Sequence, residues 1–218
     1  MKKFSDIINE RMYIKEDVLN KSILFTDIIK SAEKWKDSKE EMMLALEEQS
    51  IRFDSFVRKH GGFIIKTIGD AYMVSFDNIK NSIEFGIDVQ NDLKNNPIKV
   101  KNNNVQIRIG ICYGPVYDTV VQIQNTELID YLGYTVNAAA RIEGKVCDPG
   151  NIAFSSILKN INIKDLLKDY SVDVVRFRNE GDDTRRSARL LTDVQRYYYR
   201  DIEDLKGLEE IDVYHINL

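Results

Sequence analysis

The feature that most constrains this chain is a hydrophobic period that changes back and forth between residues 22 and 123. A short β-prone run, Ser22-Ile23-Leu24-Phe25-Thr26, ends at Asp27 and Ile28. Over residues 38–59 the apolar positions recur at helical spacing, with Met43, Leu46, Ser50, Phe53 and Val57 on one face. His60-Gly61-Gly62 closes that helix, because glycine tolerates the left-handed backbone of a helix end. Residues 63–68 and 71–76 read as two strands around a tight Gly69-Asp70 turn. A second helix is predicted over 81–93 and stops in Asn95-Asn96-Pro97. A strand over 105–112 follows, with a partner strand expected at 116–123. The order β-α-β-β-α-β is the split-βαβ, ferredoxin-like arrangement of an α+β domain.

Additions follow this unit. A helix is expected over 133–145 and strands over 151–154 and 172–178. Ala188, Leu191, Val194, Tyr198, Ile202 and Leu205 mark the apolar face of a long helix, and 211–216 a last strand. No repeat or Pro/Gly-rich linker divides the chain. Residues 1–21 are expected as an N-terminal extension and 22–218 as one domain, with an insertion at about 161–204.

The net charge of −4 excludes a general nucleic-acid binder, which needs a basic excess. Cys112 and Cys147 are too few for a disulfide framework and lack zinc-ligand spacing, so buried free thiols are expected. With no signal-peptide pattern and no uncharged run of membrane-spanning length, a cytoplasmic protein without membrane contact is expected.

The topology has a chemical consequence. The first two strands of a right-handed β-α-β unit run parallel, so Asp27 and Asp70, at their C-terminal ends, reach one sheet edge. Two carboxylates there can hold divalent cations that also bind substrate phosphates. A helix-capping Asp27 and a simple turn Asp70 are the plain alternatives.

The surrounding residues favour the first reading. Phe25-Thr26-Asp27-Ile28, Lys66-Thr67-Ile68-Gly69-Asp70-Ala71-Tyr72-Met73, Arg108-Ile109-Gly110-Ile111 with Gly114, and the run from Gly133 through Asn137 to Arg141 occur in this order. Together they resemble the class III adenylyl/guanylyl (nucleotidyl) cyclase catalytic domain, in a stand-alone form. The resemblance implies conversion of a nucleoside triphosphate to its 3′,5′-cyclic monophosphate by a homodimer with interfacial active sites. It implies two Mg²⁺ or Mn²⁺ ions per site on Asp27, Asp70 and the backbone carbonyl of Ile28. Asn137 is similar to the residue that positions the ribose. Arg141, four residues on and so on the same helix face, is similar to the one that steadies the α-phosphoryl charge.

Lys66 and Asp130 stand where the family reads the base. Lysine offers only donors and ionised aspartate only acceptors, which complements the N1 acceptor and N6 amino donor of adenine. Cytosine presents a similar pair, so a cyclic pyrimidine defence signal is the rival to cyclic AMP. The pattern also departs from the family. Residues 116–129 contain no Gly, Lys or Arg, and Leu208 stands where a second phosphate-gripping cation often follows the Lys206-Gly207 pair. That leaves a non-catalytic nucleotide-binding dimer as an alternative, or phosphate neutralisation from elsewhere. Candidates for the latter are Arg176, Arg178, Arg185, Arg186, Arg189, Arg196 and Arg200, although a solvated amphipathic helix is the plainer account of them.

Overall fold

The computed structural model describes residues 10–123, 126–158, 170–178, 195–201 and 211–218. Strand β1 (Glu10–Ile28) is central, and from Ser22 to Ile28 its side chains alternate between two covered faces. Leu24 and Ile28 enter one apolar cluster and Ile23 and Phe25 the other, as a period of two demands of a strand covered on both sides. Helix α1 (Ser31–Asp37) leads into α2 (Lys39–Lys59). Ser38 caps α2, its hydroxyl accepting from the Glu41 N–H at 3.4 Å. The helix ends where Gly61 takes φ 66° and the Gly62 N–H donates to the Val57 carbonyl at 2.8 Å. Strands β2 (Phe63–Ile68) and β3 (Ala71–Phe76) form a hairpin. Of its two turn residues only Gly69 has a positive φ, the pattern of a type II′ turn. Helix α3 (Ile79–Asn95), capped by Asn78, lies beside α2 on the first face of the sheet.

After a two-strand ribbon, β4 (Lys99–Val100) and β5 (Asn103–Asn104), comes the long strand β6 (Ile107–Ile123). Then follow β7 (Thr126–Leu132), α4 (Tyr134–Arg141), a π-helical turn (Ile142–Val146) and β8 (Ile152–Ser156). The C-terminal strands are β9 (Ser171–Arg178), β10 (Gln195–Asp201) and β11 (Ile211–Asn217). The sheet order is β10-β9-β11-β8-β6-β1-β3-β2, with β7 paired to the far half of β6. β1 is antiparallel to both β3 and β6, and β2 is antiparallel to β3, so β1 and β2 run parallel with β3 between them. This is the expected ferredoxin-like α+β unit with the C-terminal strands added beyond β6.

Three expectations are corrected and one is refined. Residues 105–112 and 116–123 are not partners but parts of the single strand β6. The reason lies at Gly114-Pro115, where β8 pairing has ended at Tyr113 and β7 pairing has not begun until Tyr117. With one side of β6 unpaired there, proline's missing N–H breaks no ladder bond. Of the long helix expected around residues 188–205, the described segment Gln195–Asp201 is instead a strand parallel to β9. Its Tyr197-Tyr198-Tyr199 run has the aromatic character that suits strands. The rest of that expectation lies outside the described residues. The helix over 133–145 is α4 continued by the π-helical turn. In α2 the buried positions are Met42, Ala45, Gln49, Phe53 and Val57, whereas Met43 is 63% exposed. Small Ala45 and polar Gln49 hide that stripe from a hydrophobic count.

Phe53 joins α2 to the sheet and to α3, its ring 5.1 Å from Tyr72 and 5.9 Å from Phe85. Phe53→Ala should therefore cost about 3–5 kcal/mol of unfolding free energy. A urea titration showing a loss below about 1 kcal/mol would contradict this packing.

Candidate active site

β1 runs two residues past its pairing with β3 while remaining paired to β6. The last β1–β3 pair is Thr26 opposite Tyr72, and the Thr26 hydroxyl accepts from the Tyr72 N–H at 3.3 Å. Asp27 follows that pair and Asp70 immediately precedes β3, so both carboxylates belong to one end of the sheet. The Ile28 side chain is buried in the core, and its backbone lies past the last β1–β3 pair, with no register partner on β3. One carboxylate oxygen of Asp70, Oδ2, is buried and has no hydrogen-bond partner. An orphaned buried acceptor is costly unless something satisfies it, and a hard cation is a fitting partner. Among the described residues no three His, Cys, Asp or Glu side chains converge as a metal cage. Two carboxylates and a carbonyl fit Mg²⁺ or Mn²⁺, which complete their shells with substrate oxygens and water.

On the other side of Asp27 stands its register partner on β6, Arg108. The Arg108 Nη2 donates to Asp27 Oδ2 at 2.9 Å, and Nη1 donates to the Gly144 carbonyl at 3.4 Å. Its Nε lies 2.9 Å from Glu143 Oε1, an ion pair off the hydrogen-bonding line, since neither atom has a hydrogen-bond partner. Burial pushes the Glu143 carboxyl up to about 7, against the pull of Arg108 and with the push of the Asp27 charge. The sequence marked Arg108 only as part of a motif and did not single out Glu143. What joins them is the strand register and the π-helical turn, neither of which leaves a hydrophobic signature.

Lys66 and Asp130, 64 residues apart, do meet: Nζ of Lys66 is 2.5 Å from Oδ2 of Asp130. A bulge brings this about. Ile64 pairs with Val74, but Lys66 pairs with Met73, so Ile65 is the extra residue. Ile64 packs with the α2/α3 cluster and Ile65 with the other. Without the extra residue Lys66 would share the face of Ile64; with it, Lys66 shares the face of Met73. Asp130 lies on β7, not in a loop. Its Oδ1 accepts from the Tyr131 N–H and its carbonyl from the Thr119 hydroxyl, each at 2.8 Å. The carboxylate is thus preset with Oδ2 toward Lys66.

Asn137 and Arg141 lie on α4, which packs through Ala138 and Ala139 onto the second face. Asn137 is exposed and Arg141 half-buried, one turn apart. Arg185, Arg186, Arg189, Lys206, Gly207 and Leu208 lie outside the described residues, as do the side chains of Arg176, Arg178, Arg196 and Arg200. Cys112 and Cys147 are buried free thiols. His60, for which the sequence showed no partner, bridges α2 to α3 through Asp88 at 2.8 Å.

The chain has relatives among known proteins. Residues 14–179 match the family described as the adenylate and guanylate cyclase catalytic domain. The chain is 32% identical to an adenylate cyclase of Neurospora crassa over 86% of its own length, but spans only 9% of that protein. It resembles the GTP complex of the guanylate cyclase domain of RhGC from Catenaria anguillulae with a TM-score of 0.64 at 20% identity, covering 95% of this chain and 98% of that one. It resembles the adenylyl cyclase CyaB from P. aeruginosa with the same TM-score of 0.64 at 19% identity, covering 93% and 95%. Among the described residues no helix is long and apolar enough to cross a membrane.

The raised Glu143 carboxyl sets a pH dependence. The folded chain holds the Glu143 proton more tightly than the unfolded chain, so this group's contribution is present at low pH. It is lost as pH rises from the ordinary value of 4.5 through about 7. In chelator-treated protein, the melting temperature of wild type should fall relative to Glu143→Gln between about pH 5 and about pH 8. Parallel pH profiles for the two proteins would remove the claim.

Proposed function

Because the chain belongs to the adenylate and guanylate cyclase catalytic-domain family, we propose that it converts ATP to 3′,5′-cyclic AMP and pyrophosphate. The observation that carries this reading is the emergence of Asp27 and Asp70 at one end of neighbouring antiparallel strands, with an unsatisfied Asp70 oxygen buried there. Asp27, Asp70 and the Ile28 carbonyl would hold two divalent cations. When bound, those cations supply charge that favours the ionised 3′-hydroxyl and stabilises the attacking and leaving oxygens of an in-line displacement.

The chain's own residues supply the rest. Lys66 donates to the N1 acceptor of adenine and Asp130 accepts from its 6-amino group. The mutual ion pair of these two residues supports the assignment, since a base must satisfy both when it parts them. Asn137 holds the ribose, and Arg141 stabilises charge developing on the α-phosphoryl group. Arg108 answers the missing cation near Leu208. Its guanidinium lies against Asp27, so it can take polyphosphate oxygens when Asp27 turns to a cation. The active form is read as a homodimer. Asn137 points outward from α4, available to complete the Asp27–Asp70 half-site of a second copy.

Asp27→Ala and Asp70→Ala should each lower kcat by at least about 100-fold, leaving the melting temperature of metal-free protein near wild type or above it. The wild type is to be incubated separately with ATP, GTP, CTP and UTP, under Mg²⁺ and under Mn²⁺, and the products resolved by chromatography. Cyclic AMP with pyrophosphate is expected. Cyclic CMP would keep the chemistry and move the substrate to the pyrimidine rival, whereas nucleotide binding without product would leave a non-catalytic dimer. Asp130→Asn replaces an acceptor by a mixed group and should lower kcat/KM for ATP by about 10–100-fold. An unchanged preference among the four triphosphates would exclude Asp130 from base recognition.

A further inference from the structure

Glu143 stands at the site with no role in the chemistry just described. Arg108 and Gly110 project from the same face of β6, two residues apart. The π-helical turn rests directly on Gly110. A Cβ there would lie 2.5 Å from both Cα and Cβ of Glu143 and would overlap its backbone nitrogen. The missing side chain is therefore what lets the turn bring Glu143 against Arg108.

The guanidinium carries its donors in a rigid fork, and here three nitrogens face three acceptors. Nε faces the Glu143 carboxylate, Nη1 the Gly144 carbonyl and Nη2 the Asp27 carboxylate. Two of these three acceptors belong to the turn, and only the third belongs to the cation site. If Asp27 gives its oxygen to a cation, Arg108 loses one partner and keeps two. The nitrogen released is Nη2, the one already directed at Asp27. A guanidinium held by the Glu143 carboxylate beside Nε, as an ion pair, and by the Gly144 carbonyl at Nη1 remains at the site with one edge open. Without Glu143 its one charged partner among the described residues would be Asp27, and it would compete with the cation for that carboxylate.

We propose that Glu143 is a positioning residue that holds Arg108 at the site so that its freed edge meets the polyphosphate of the substrate. This rests on the reading of Asp27 as a cation ligand. It also goes beyond that reading by assigning the turn after α4 a part in binding the triphosphate tail, with no contact of its own to substrate. A role confined to folding would affect every ligand and both kinetic constants alike. A positioning role is confined to the phosphates and should appear in KM.

The test uses the whole chain with Mn²⁺ and 3′-deoxy-ATP, which lacks the attacking hydroxyl, and measures its dissociation constant by titration calorimetry beside that of adenosine. Glu143→Gln should weaken 3′-deoxy-ATP about tenfold and leave adenosine within about twofold. With ATP, KM should rise by a similar factor while kcat stays within about threefold. Glu143→Asp, which keeps the charge, should restore part of the affinity. On an Arg108→Ala background Glu143→Gln should add less than about twofold, because both changes remove the same anchored cation. Equal weakening of adenosine and 3′-deoxy-ATP, no weakening of either, or full multiplicative loss on the Arg108→Ala background would each overturn the proposal. Wild type that fails to bind 3′-deoxy-ATP at all would instead overturn the cyclase reading, and this one with it.

Discussion

The pairing register of β1 is the constraint on which the rest depends. β1 is held on both sides, Ser22 lying opposite Phe76 on β3 and Tyr113 on β6. That double pairing fixes which residues look toward α2 and α3 and which look toward α4. A slip by one residue would turn Leu24 and Ile28 out of one core and Ile23 and Phe25 out of the other. The same slip would carry Asp27 away from Arg108. The apolar residues of β1 thus specify the charged end of the strand, though none of them touches it. The buried Ser22–Ser82 hydroxyl contact at 2.6 Å and the Thr26 hydroxyl on the Tyr72 N–H add polar reference points to the same register.

Three local irregularities then move side chains that regular strands would leave elsewhere. Gly69 turns the β2–β3 hairpin in two residues, which puts Asp70 at the sheet end instead of in a longer loop. The extra residue Ile65 turns Lys66 from the helix-covered face to the face Asp130 can reach. Gly110 opens β6 to the backbone of the π-helical turn, which brings Glu143 to Arg108. Each departs from ideal geometry next to a charged group of the candidate site. Bulges and close-approach glycines often collect beside functional groups for this reason: they re-aim side chains at small cost to the core.

These devices also explain what could be read from the sequence. Element types and order over residues 22–123 were legible because long amphipathic segments and glycine-marked turns announce themselves locally. The Gly61-Gly62 helix end and the Gly69-Asp70 turn were visible for that reason. The continuity of β6 through Gly114-Pro115 was hidden, because it depends on which neighbour flanks the strand at that point. The strand at Gln195–Asp201 was misread because only Tyr198 of the helical stripe falls within it, and a single apolar position cannot tell a helical period from a strand. The roles proposed for Lys66 and Asp130 came from their motif neighbours; no rule of spacing would have paired residues 64 positions apart across a bulge. Arg108 and Glu143 were missed as a pair because cross-strand register and a π-helical turn leave no composition signal.

Four charged side chains of the candidate site are paired within the chain. Lys66 is paired with Asp130, and Asp27 with Arg108. On the proposed reading substrate does not enter a field of bare charges; it exchanges partners with existing pairs. Such exchange is selective, because parting two oppositely charged groups is favourable only if the incoming ligand satisfies both. A base that offers Lys66 an acceptor but Asp130 another acceptor recovers one interaction and leaves the other group unpaired. Similarly, a cation arriving without a polyphosphate takes Asp27 from Arg108 and leaves the Nη2 edge without its carboxylate, whereas a cation arriving with the triphosphate supplies both replacements together. Cation and polyphosphate should therefore bind cooperatively. These same two ion pairs would disfavour any ligand that brings only half of the required complement.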